Sequence, residues 1–436
     1  MNLLTSFEFL FQELAVVMTQ PSFQNFVTIA TGWIFARRRT VTGMLVAAGM
    51  AGQRHHSAFH RFFAEGAWSL DALGLAVFRL VEPLLLGDEI LVAIDDTLAR
   101  KRGLKIFGVG MHHDPLLSSR GKAITNWGHS WVVLGVIIQF PLWPSRAFCL
   151  PILFRMYLNH QASARAGRVH RTRPELAVEM LRILCSHRKN RRFHVICDSA
   201  YGGQSVLCCL PVNCELTSRL VMDARLHALA PPRRPGAKGR PRKRGQRLPT
   251  PQQMLDARAR RLTLDLYGRR DRVRLAESIA CAYAAPQRLL RVVAVEPLCG
   301  GRKPQAFYST AHAASALEVL TWYAMRWSIE VAFHDSKMHL GFEEPQGWTR
   351  RAAERTAPIA MLLYSLIVKW FATEGHRYYR PLQQSWYADK PHASFTDMLA
   401  TLRRRSLYEQ TFAWGLHGPG SQKIIQTLEH VLALAA

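Results

Sequence analysis

The sequence predicts an α/β (α+β) fold, with a central mixed sheet flanked by helices. Short β-branched runs at 90–95, 131–140, 193–197 and 212–217 read as strands, and a helix-period segment at about 174–187 precedes the third of them. Helix-period segments also fill both ends of the chain. Strands alternating with helical segments are typical of a sheet covered on its faces by helices.

Changes in composition divide the chain into five regions. Residues 1–88 are predicted to be helical, 89–220 to form the first part of the sheet, 306–375 to complete that domain and 376–436 to be helical again. Between them, 221–305 is predicted to be a β-rich insertion with strands at 261–266, 271–284, 288–297 and 305–310. Its residues 231–249 hold eight Lys and Arg among Pro and Gly, which indicates an exposed basic loop.

The charge of the chain points to an anionic partner. Its 57 Lys and Arg outnumber 31 Asp and Glu, for a formal charge of +26. Because such a surplus repels itself unless an anion offsets it, nucleic acid is the leading partner. The basic stretches at 37–39 and 53–63 then suggest that the N-terminal region contacts DNA. The loop at 231–249 is either a solvated linker or a DNA contact, and its charge density favours contact.

Other features argue for a cytoplasmic protein with no membrane segment. The longest apolar run, Trp131 to Trp143, is too short to span a bilayer. Glu8 and Glu13 interrupt the apolar N-terminal stretch, which argues against a signal peptide. The eight cysteines form no CxxC pair, so they are expected to be reduced core residues.

Acidic residues end two of the predicted strands. Asp95 and Asp96 close the apolar run LVAIDDT, and Asp198 follows HVIC before a Gly-Gly turn. Converging carboxylates raise one another's pKa unless a cation neutralises them, so the pattern predicts a metal site. Hard oxygen ligands favour Mg²⁺ or Mn²⁺. Alternatively, each Asp caps a turn or helix.

A third acid stands in the helix-like stretch TWYAMRWSIEVAFHDSKMHLGF. On an uninterrupted helix Tyr323, Arg326, Glu330 and Lys337 share one face, and this face is suited to bind a phosphate beside a single carboxylate. The alternative is an ordinary Arg326–Glu330 pair on a solvated face.

These residues resemble the bacterial insertion-sequence transposases of the DDE class, whose catalytic domain has a ribonuclease-H-like fold. The chain is similar in particular to the superfamily with a Y-R-E-K signature, in which these residues are separated by two, three and six positions. The quartet meets every interval, IDDT and CDSAYGG match the first two acids, and the resemblance covers roughly residues 89–350.

The resemblance implies a role for each matching residue. Asp96 corresponds to the first catalytic and metal-binding acid, with Asp95 as the alternative that an Asp-x-Thr arrangement would select. Asp198 corresponds to the second acid and Glu330 to the third. Together these acids would bind two Mg²⁺ or Mn²⁺ ions. The implied DNA-end contacts are Tyr323, Arg326 and Lys337.

Several further residues receive secondary assignments. Lys122 and His129, in GKAITNWGHSW, are candidate DNA contacts, and Glu343 and Glu344 are weaker candidates for the third acid because Pro345 places them in a turn. The histidines at 55, 56, 60, 112 and 113 have no acid or cysteine at ligand spacing and read as surface or phosphate-contacting residues. The insertion lacks the base-stacking tryptophan of some relatives, and Tyr267 or Tyr283 is a weak substitute.

The resemblance implies metal-dependent cleavage at transposon ends and transfer of the freed 3′-OH into target DNA. The partners would be double-stranded DNA, as terminal inverted repeats and target, and a second copy of the chain on paired ends in the bacterial nucleoid. Two alternatives remain: a nuclease of the same fold that does not join DNA, and a catalytically inactive DNA-binding regulator.

Overall fold

The computed structural model describes residues 2–413, apart from 115, 120, 234, 236–238, 267, 268, 300 and 381–391, together with residue 424. Tyr267, part of the basic loop at 231–249 and most of the predicted closing helix beyond 413 therefore lie outside the described residues.

The N-terminal region is helical, as predicted. Its helices are α1 (Thr5–Ala15), α2 (Gln20–Phe35), α3 (Val41–Ala47), α4 (Ser57–Ala64) and α5 (Leu70–Val81), followed by a 3₁₀ turn at Glu82–Leu84. Two of the starts are fixed by hydroxyl caps: Thr40 accepts from the Gly43 amide and Ser69 from the Ala72 amide. Each cap satisfies a backbone donor that has no partner within its helix.

The centre of the molecule is one twelve-stranded mixed sheet in the described part of the chain. Its strands are β1 (Glu89–Arg100), β2 (Gly110–His113), β3 (Thr125–Gln139), β4 (Ala147–Tyr157), β5 (Arg192–Cys197), β6 (Cys214–Leu220), β7 (Leu226–His227), β8 (Arg247–Leu248), β9 (Arg260–Leu266), β10 (Arg269–Ala282), β11 (Ala285–Pro297) and β12 (Gln305–Ser309).

The first half of the sheet has a ribonuclease-H-like arrangement, which confirms the predicted fold class. β1 pairs antiparallel with β3 and parallel with β5, β3 pairs antiparallel with β4, and β5 pairs parallel with β6. Asp95 and Asp96 lie in the middle of β1, not at its end as predicted, because pairing with β3 continues the strand to Arg100. They are next to Asp198, which directly follows the neighbouring parallel strand β5.

The insertion strands continue this sheet. β12 pairs antiparallel with β6, and β11 and β10 follow on its far side. The outer edge of β6 is thereby covered by the insertion, and a single hydrogen-bonded ladder joins the two parts of the fold.

The remaining helices cover the sheet. They are α6 (His160–Arg165), α7 (Arg173–His187), α8 (Gln204–Leu207), α9 (Pro251–Arg258), α10 (Ala316–Met325), α11 (Trp327–Leu340), α12 (Arg350–Thr373) and α13 (Phe395–Ala413), with a 3₁₀ turn at Gly375–Tyr378. Among the described helices only α12 has the length and composition to cross a membrane, but 83% of its apolar window is buried inside the protein. A mostly buried helix of this kind is also found in the cores of soluble proteins.

The N-terminal helices pack directly on the ribonuclease-H-like half of the fold and on the segment after α11. The indole N–H of Trp33 donates to the Leu340 carbonyl at 2.7 Å, and the Arg39 amide donates to the Glu344 carboxylate at 2.6 Å. Gly74 of α5 lies so close to β4 that an added Cβ would stand 1.8 Å from the Ile152 carbonyl oxygen. Contact at that distance is possible only without a side chain.

Candidate active site

One arginine bridges two acids that are far apart in the sequence. Arg326 donates from Nη1 to Oδ2 of Asp95 and from Nη2 to Oε1 of Glu330, both at 2.7 Å. The Arg326 and Asp95 side chains are about 15% exposed and that of Glu330 is 33% exposed. Strand β1 and helix α11 thus meet at a partly buried cluster of two carboxylates and one guanidinium.

Arg326 lies where α10 ends and α11 begins, so the helix-like stretch is two helices. The Arg326 amide donates to the Tyr323 carbonyl and the Ile329 amide to the Arg326 carbonyl, three residues apart in each case. Such tightened turns often mark a hinge within a helix. The junction turns the Arg326 side chain toward β1 while Glu330 follows one turn later.

Asp198 lies beside Asp95. In the parallel ladder Ile94 is opposite Cys197, so the next residue on each strand is one of these acids. Oδ1 of Asp198 accepts from the Ala200 amide at 2.9 Å, and the Ser218 hydroxyl donates to the Asp198 carbonyl at 2.8 Å. The turn after β5 is therefore held in place from both sides.

The electrostatics of Asp95 reflect this crowding. Burial raises the pKa of Asp95 to about 7; Arg326 opposes the shift and the Asp198 charge adds to it. A carboxyl in this position gains from any additional cation brought close to it.

Asp96 points to the opposite face of β1, toward α7, because successive side chains alternate along a strand. Its Oδ1 accepts from the Tyr201 hydroxyl at 2.8 Å, and Oδ2 is 3.3 Å from Nε of Arg173. Burial raises the pKa of Asp96, while Arg173 and the Tyr201 hydrogen bond act to lower it. The structure thus places Asp95, rather than Asp96, with Arg326 and Glu330.

The predicted quartet does not form one open face. Tyr323 is 9% exposed and packs against Phe307 with ring centroids 4.5 Å apart. The Lys337 ammonium lies 4.0 Å from the Glu343 carboxylate, and burial lowers the Lys337 pKa. Of the four residues, Arg326 and Glu330 lie at the cluster with Asp95.

The two acids ranked below Glu330 are engaged elsewhere. Glu343 accepts from the Arg100 amide at 3.1 Å, and Glu344 pairs with Arg39. Nearby, the buried Lys101 ammonium donates to the carbonyls of Glu343 and Pro345, both at 2.7 Å. These contacts fasten the segment after α11 to the end of β1.

The two secondary DNA-contact candidates differ sharply in exposure. Lys122 is exposed in the hairpin between β2 and β3, where it pairs with Ser119. His129 is 2% exposed, with Nε2 2.8 Å from the Phe107 carbonyl oxygen, and burial lowers its pKa to about 3. A neutral, buried imidazole cannot reach a DNA backbone from that position, so the assignment of His129 is corrected.

Tyr283, in the insertion, is half exposed, and the Arg244 guanidinium covers its ring at 3.5 Å from the centroid. The Arg244 guanidinium therefore occupies one of the two ring faces on which a base could stack.

Sequence reasoning missed Arg173 and Tyr201. Tyr201 stands within CDSAYGG, three residues after Asp198, and that spacing was its only signal. Arg173 opens α7 directly after the Thr172 cap, a position that carries no catalytic pattern in the sequence.

The described residues contain no group of three or more His, Cys, Asp and Glu side chains arranged to hold a metal ion. Asp95, Asp198 and Glu330 are nevertheless hard oxygen donors of the type that divalent cations prefer. The guanidinium between Asp95 and Glu330 marks the place where positive charge is needed. The donor chemistry therefore fits a divalent cation, provided that Arg326 gives up its contacts.

Acids on two neighbouring parallel strands of a ribonuclease-H-like sheet, with a glutamate on α11 beside them, are an arrangement typical of phosphodiester-cleaving enzymes of the nuclease class. The model of the DDE superfamily endonucleases matches residues 28–276, more than half of the chain. The chain belongs to this family, whose members generally use divalent metal ions.

A comparison with individual proteins also points to an enzyme that acts on DNA. Over 186 residues the chain is 27% identical to a probable transposase for insertion sequence element IS701 from Microchaete diplosiphon. The match covers 42% of this chain and 43% of the relative, so it spans less than half of the relative's length. The family match ends before Glu330, and the Y-R-E-K assignment stays a prediction.

Proposed function

We propose that this protein is a transposase that cuts DNA at the ends of an insertion element and joins the freed 3′-OH to target DNA. Asp95, Asp198 and Glu330 are its catalytic carboxylates in this proposal, with Asp95 in the place that the resemblance gives to Asp96. The family membership and the IS701 relative support the general activity.

The bridge from Asp95 through Arg326 to Glu330 is the observation that carries the proposal. It joins the middle of the central strand β1 to helix α11, far along the chain, and the strand register places Asp198 next to Asp95. Carboxylates packed this closely in a partly buried position cost stability, and a cluster of this kind supports a functional site.

A bound Mg²⁺ or Mn²⁺ pair would supply activation of the attacking water and neutralisation of the leaving 3′ oxygen. Asp95, Asp198 and Glu330 would hold these ions. Arg326 would bind a non-bridging phosphate oxygen, because its planar fork matches a phosphate. In the joining step the freed 3′-OH attacks a target phosphate, the bond to the target 3′ oxygen breaks, and the number of phosphodiester bonds is unchanged.

Positive charge elsewhere on the chain would bind the flanking duplex. The formal charge of +26 and the exposed Lys122 hairpin are suited to backbone contacts that do not depend on base sequence. Because two ends must be joined, we propose a homodimer on paired ends. Since its substrate is bacterial DNA, we propose that the protein acts in the bacterial cytoplasm.

The test uses the purified protein, Mg²⁺ or Mn²⁺, and a labelled duplex that carries the terminal repeat flanking the gene. Wild type is expected to nick this duplex and to transfer a precut 3′-OH end into plasmid DNA. E330Q is expected to bind the duplex but not to cut it. Retained metal-dependent nicking by a folded E330Q would refute the proposed site, and cutting without joining would identify a nuclease instead.

A further inference from the structure

We propose that Arg326 is an exchangeable counter-ion: it occupies the space between Asp95 and Glu330 in the DNA-free protein and leaves it for a DNA phosphate when a divalent cation binds the two carboxylates. This inference rests on the proposed function. It adds that the metal site is incomplete without DNA, and that metal and DNA bind cooperatively.

The geometry of the fork is the first argument. Both terminal nitrogens of Arg326 are used by carboxylates at 2.7 Å, one each. A cation held between Asp95 and Glu330 would occupy the space that the guanidinium fills and would be repelled by its charge, and the other Asp95 oxygen, Oδ1, already accepts from the Asp96 amide at 2.8 Å. Arg326 and a metal ion shared by the two acids therefore compete for the space between them.

The unfilled bonding capacity of Arg326 is the second argument. Its Nε is buried and has no hydrogen-bond partner. The two carboxylates leave this donor unsatisfied, whereas a phosphate that accepts from Nε and a terminal nitrogen would satisfy it. Exchange of the carboxylates for a nearby phosphate would therefore give Arg326 a hydrogen bond that it lacks.

The local charge balance is the third argument. Asp95 and Glu330 share Arg326, and Asp198 lies beside Asp95 with no cation contacting its side chain among the described residues. An approaching phosphate adds further negative charge. Arg326 cannot neutralise the carboxylates and the phosphate together, so an incoming divalent cation is needed to take over the acids.

The backbone at Arg326 allows the exchange. The residue sits at the junction of α10 and α11, where the hydrogen bonds span three residues instead of four. The guanidinium also lies 5.6 Å from the Tyr323 ring centroid, and this buried ring provides a fixed surface along which the side chain can turn.

The first measurement needs no variant. Mn²⁺ binding is followed by electron paramagnetic resonance with the protein alone, with an unmodified end duplex alone, and with the protein and duplex together before cleavage begins. Typical coupling between two ligands changes affinity by about 5- to 150-fold. We expect DNA to raise the Mn²⁺ affinity within this range. Equal affinity with and without DNA would overturn the exchange.

Variants separate the exchange from the proposed site. R326Q is expected to bind Mn²⁺ in the absence of DNA at least about fivefold more tightly than wild type, because the carboxylates are then free. R326K retains the charge but lacks the fork and should lie between the two. R173Q removes an equal charge from the opposite face of β1 and is the matched control, expected to leave Mn²⁺ affinity unchanged.

The outcomes are distinguishable. Loss of Mn²⁺ binding in E330Q, with no gain in R326Q, would overturn the exchange and leave the proposed site standing. Wild-type Mn²⁺ binding in both E330Q and D95N would overturn both. A gain in R173Q but not in R326Q would move the site to Asp96 and reject the exchange. Thermal unfolding of each variant establishes that it is folded.

Discussion

The Tyr201 hydroxyl donates a 2.8 Å hydrogen bond to Oδ1 of Asp96 from a ring that is 1% exposed. The bond ties the turn after β5 to the middle of β1, on the face that carries α7. In the proposed function Asp96 therefore has a supporting role, next to Asp95, the acid that pairs with Arg326.

Tyr201→Phe is expected to destabilise the protein by about 1–3 kcal/mol, because it leaves a buried carboxylate oxygen without its donor. Urea unfolding monitored by tryptophan fluorescence measures the change. In an Asp96→Asn background the same substitution should cost less, since a neutral acceptor needs the bond less. Equal costs in both backgrounds would show that the two residues are not coupled.

Asp95→Asn and Asp96→Asn should affect cleavage very differently. We expect D95N to lose about 10²-fold or more of the nicking rate, as for the loss of an interaction made at the reacting centre. D96N should remain within about tenfold of wild type, because the Asn oxygen can still accept from Tyr201. The reverse ranking, in folded variants, would restore Asp96 as the first catalytic acid.

DNA binding is expected to weaken steeply with salt. Neutralising six to ten phosphates would reduce affinity by about 10³- to 10⁵-fold between 50 and 200 mM salt. Fluorescence anisotropy of a labelled end duplex, without divalent metal, measures the slope of log K against log salt. A flat slope would contradict the inference drawn from the charge of +26.

Lys101 predicts a pH dependence of stability. Burial lowers the pKa of Lys101 to about 8 from its ordinary value of 10.5. Below pH 8 both folded and unfolded chains hold the proton, and the folded state bears the full cost of the buried charge. Between pH 8 and 10.5 the unfolded chain binds more protons, so this contribution to stability rises with pH.

The check on Lys101 is the difference in free energy of unfolding between wild type and Lys101→Met. This difference should shift in favour of wild type by on the order of 1–3 kcal/mol from pH 8 to 10.5. Other groups titrate in that range, but they are common to both proteins. A difference that stays constant would mean that Lys101 has an ordinary pKa.

Gly74→Ala should destabilise the contact between α5 and β4. The added methyl would overlap the Ile152 carbonyl, and overpacking of this kind costs about 1–3 kcal/mol. Gly49→Ala is not a suitable control because Gly49 has a positive φ. Ala76→Gly, in the same helix, serves as the comparison because it removes a methyl group instead of adding one. Urea unfolding of each variant measures the effect. An unchanged unfolding midpoint for G74A would indicate that α5 can move away from the sheet without loss of stability.

Local sequence patterns predicted most of the strands and the helix before β5, because alternating burial and apolar runs depend on nearby residues. They missed β4, whose Pro151 and Arg155 interrupt the apolar pattern; a register shift in the ladder accommodates Pro151 opposite Gly135. The joining of the insertion to β6 was also missed, because pairing between distant strands leaves no local signal.

The candidate site shows the same division. The Arg326–Glu330 pair follows from helical spacing and was foreseen as an alternative, but its connection to Asp95 depends on how α11 lies on the sheet. Alternation along β1 dictates that Asp95 and Asp96 face opposite ways, yet only the packed helices decide which face holds the site. The burial of His129 likewise depends on the loop at Phe107, far from it in sequence.

The pairing of β12 with β6 has a consequence for how this protein can be shortened. Excising the insertion together with β12 would bare a row of backbone amides and carbonyls along β6, an open strand border of the sort that recruits other chains. A protein with this deletion would therefore tend to aggregate. A soluble truncated version would have to keep β12 to cover the edge of β6.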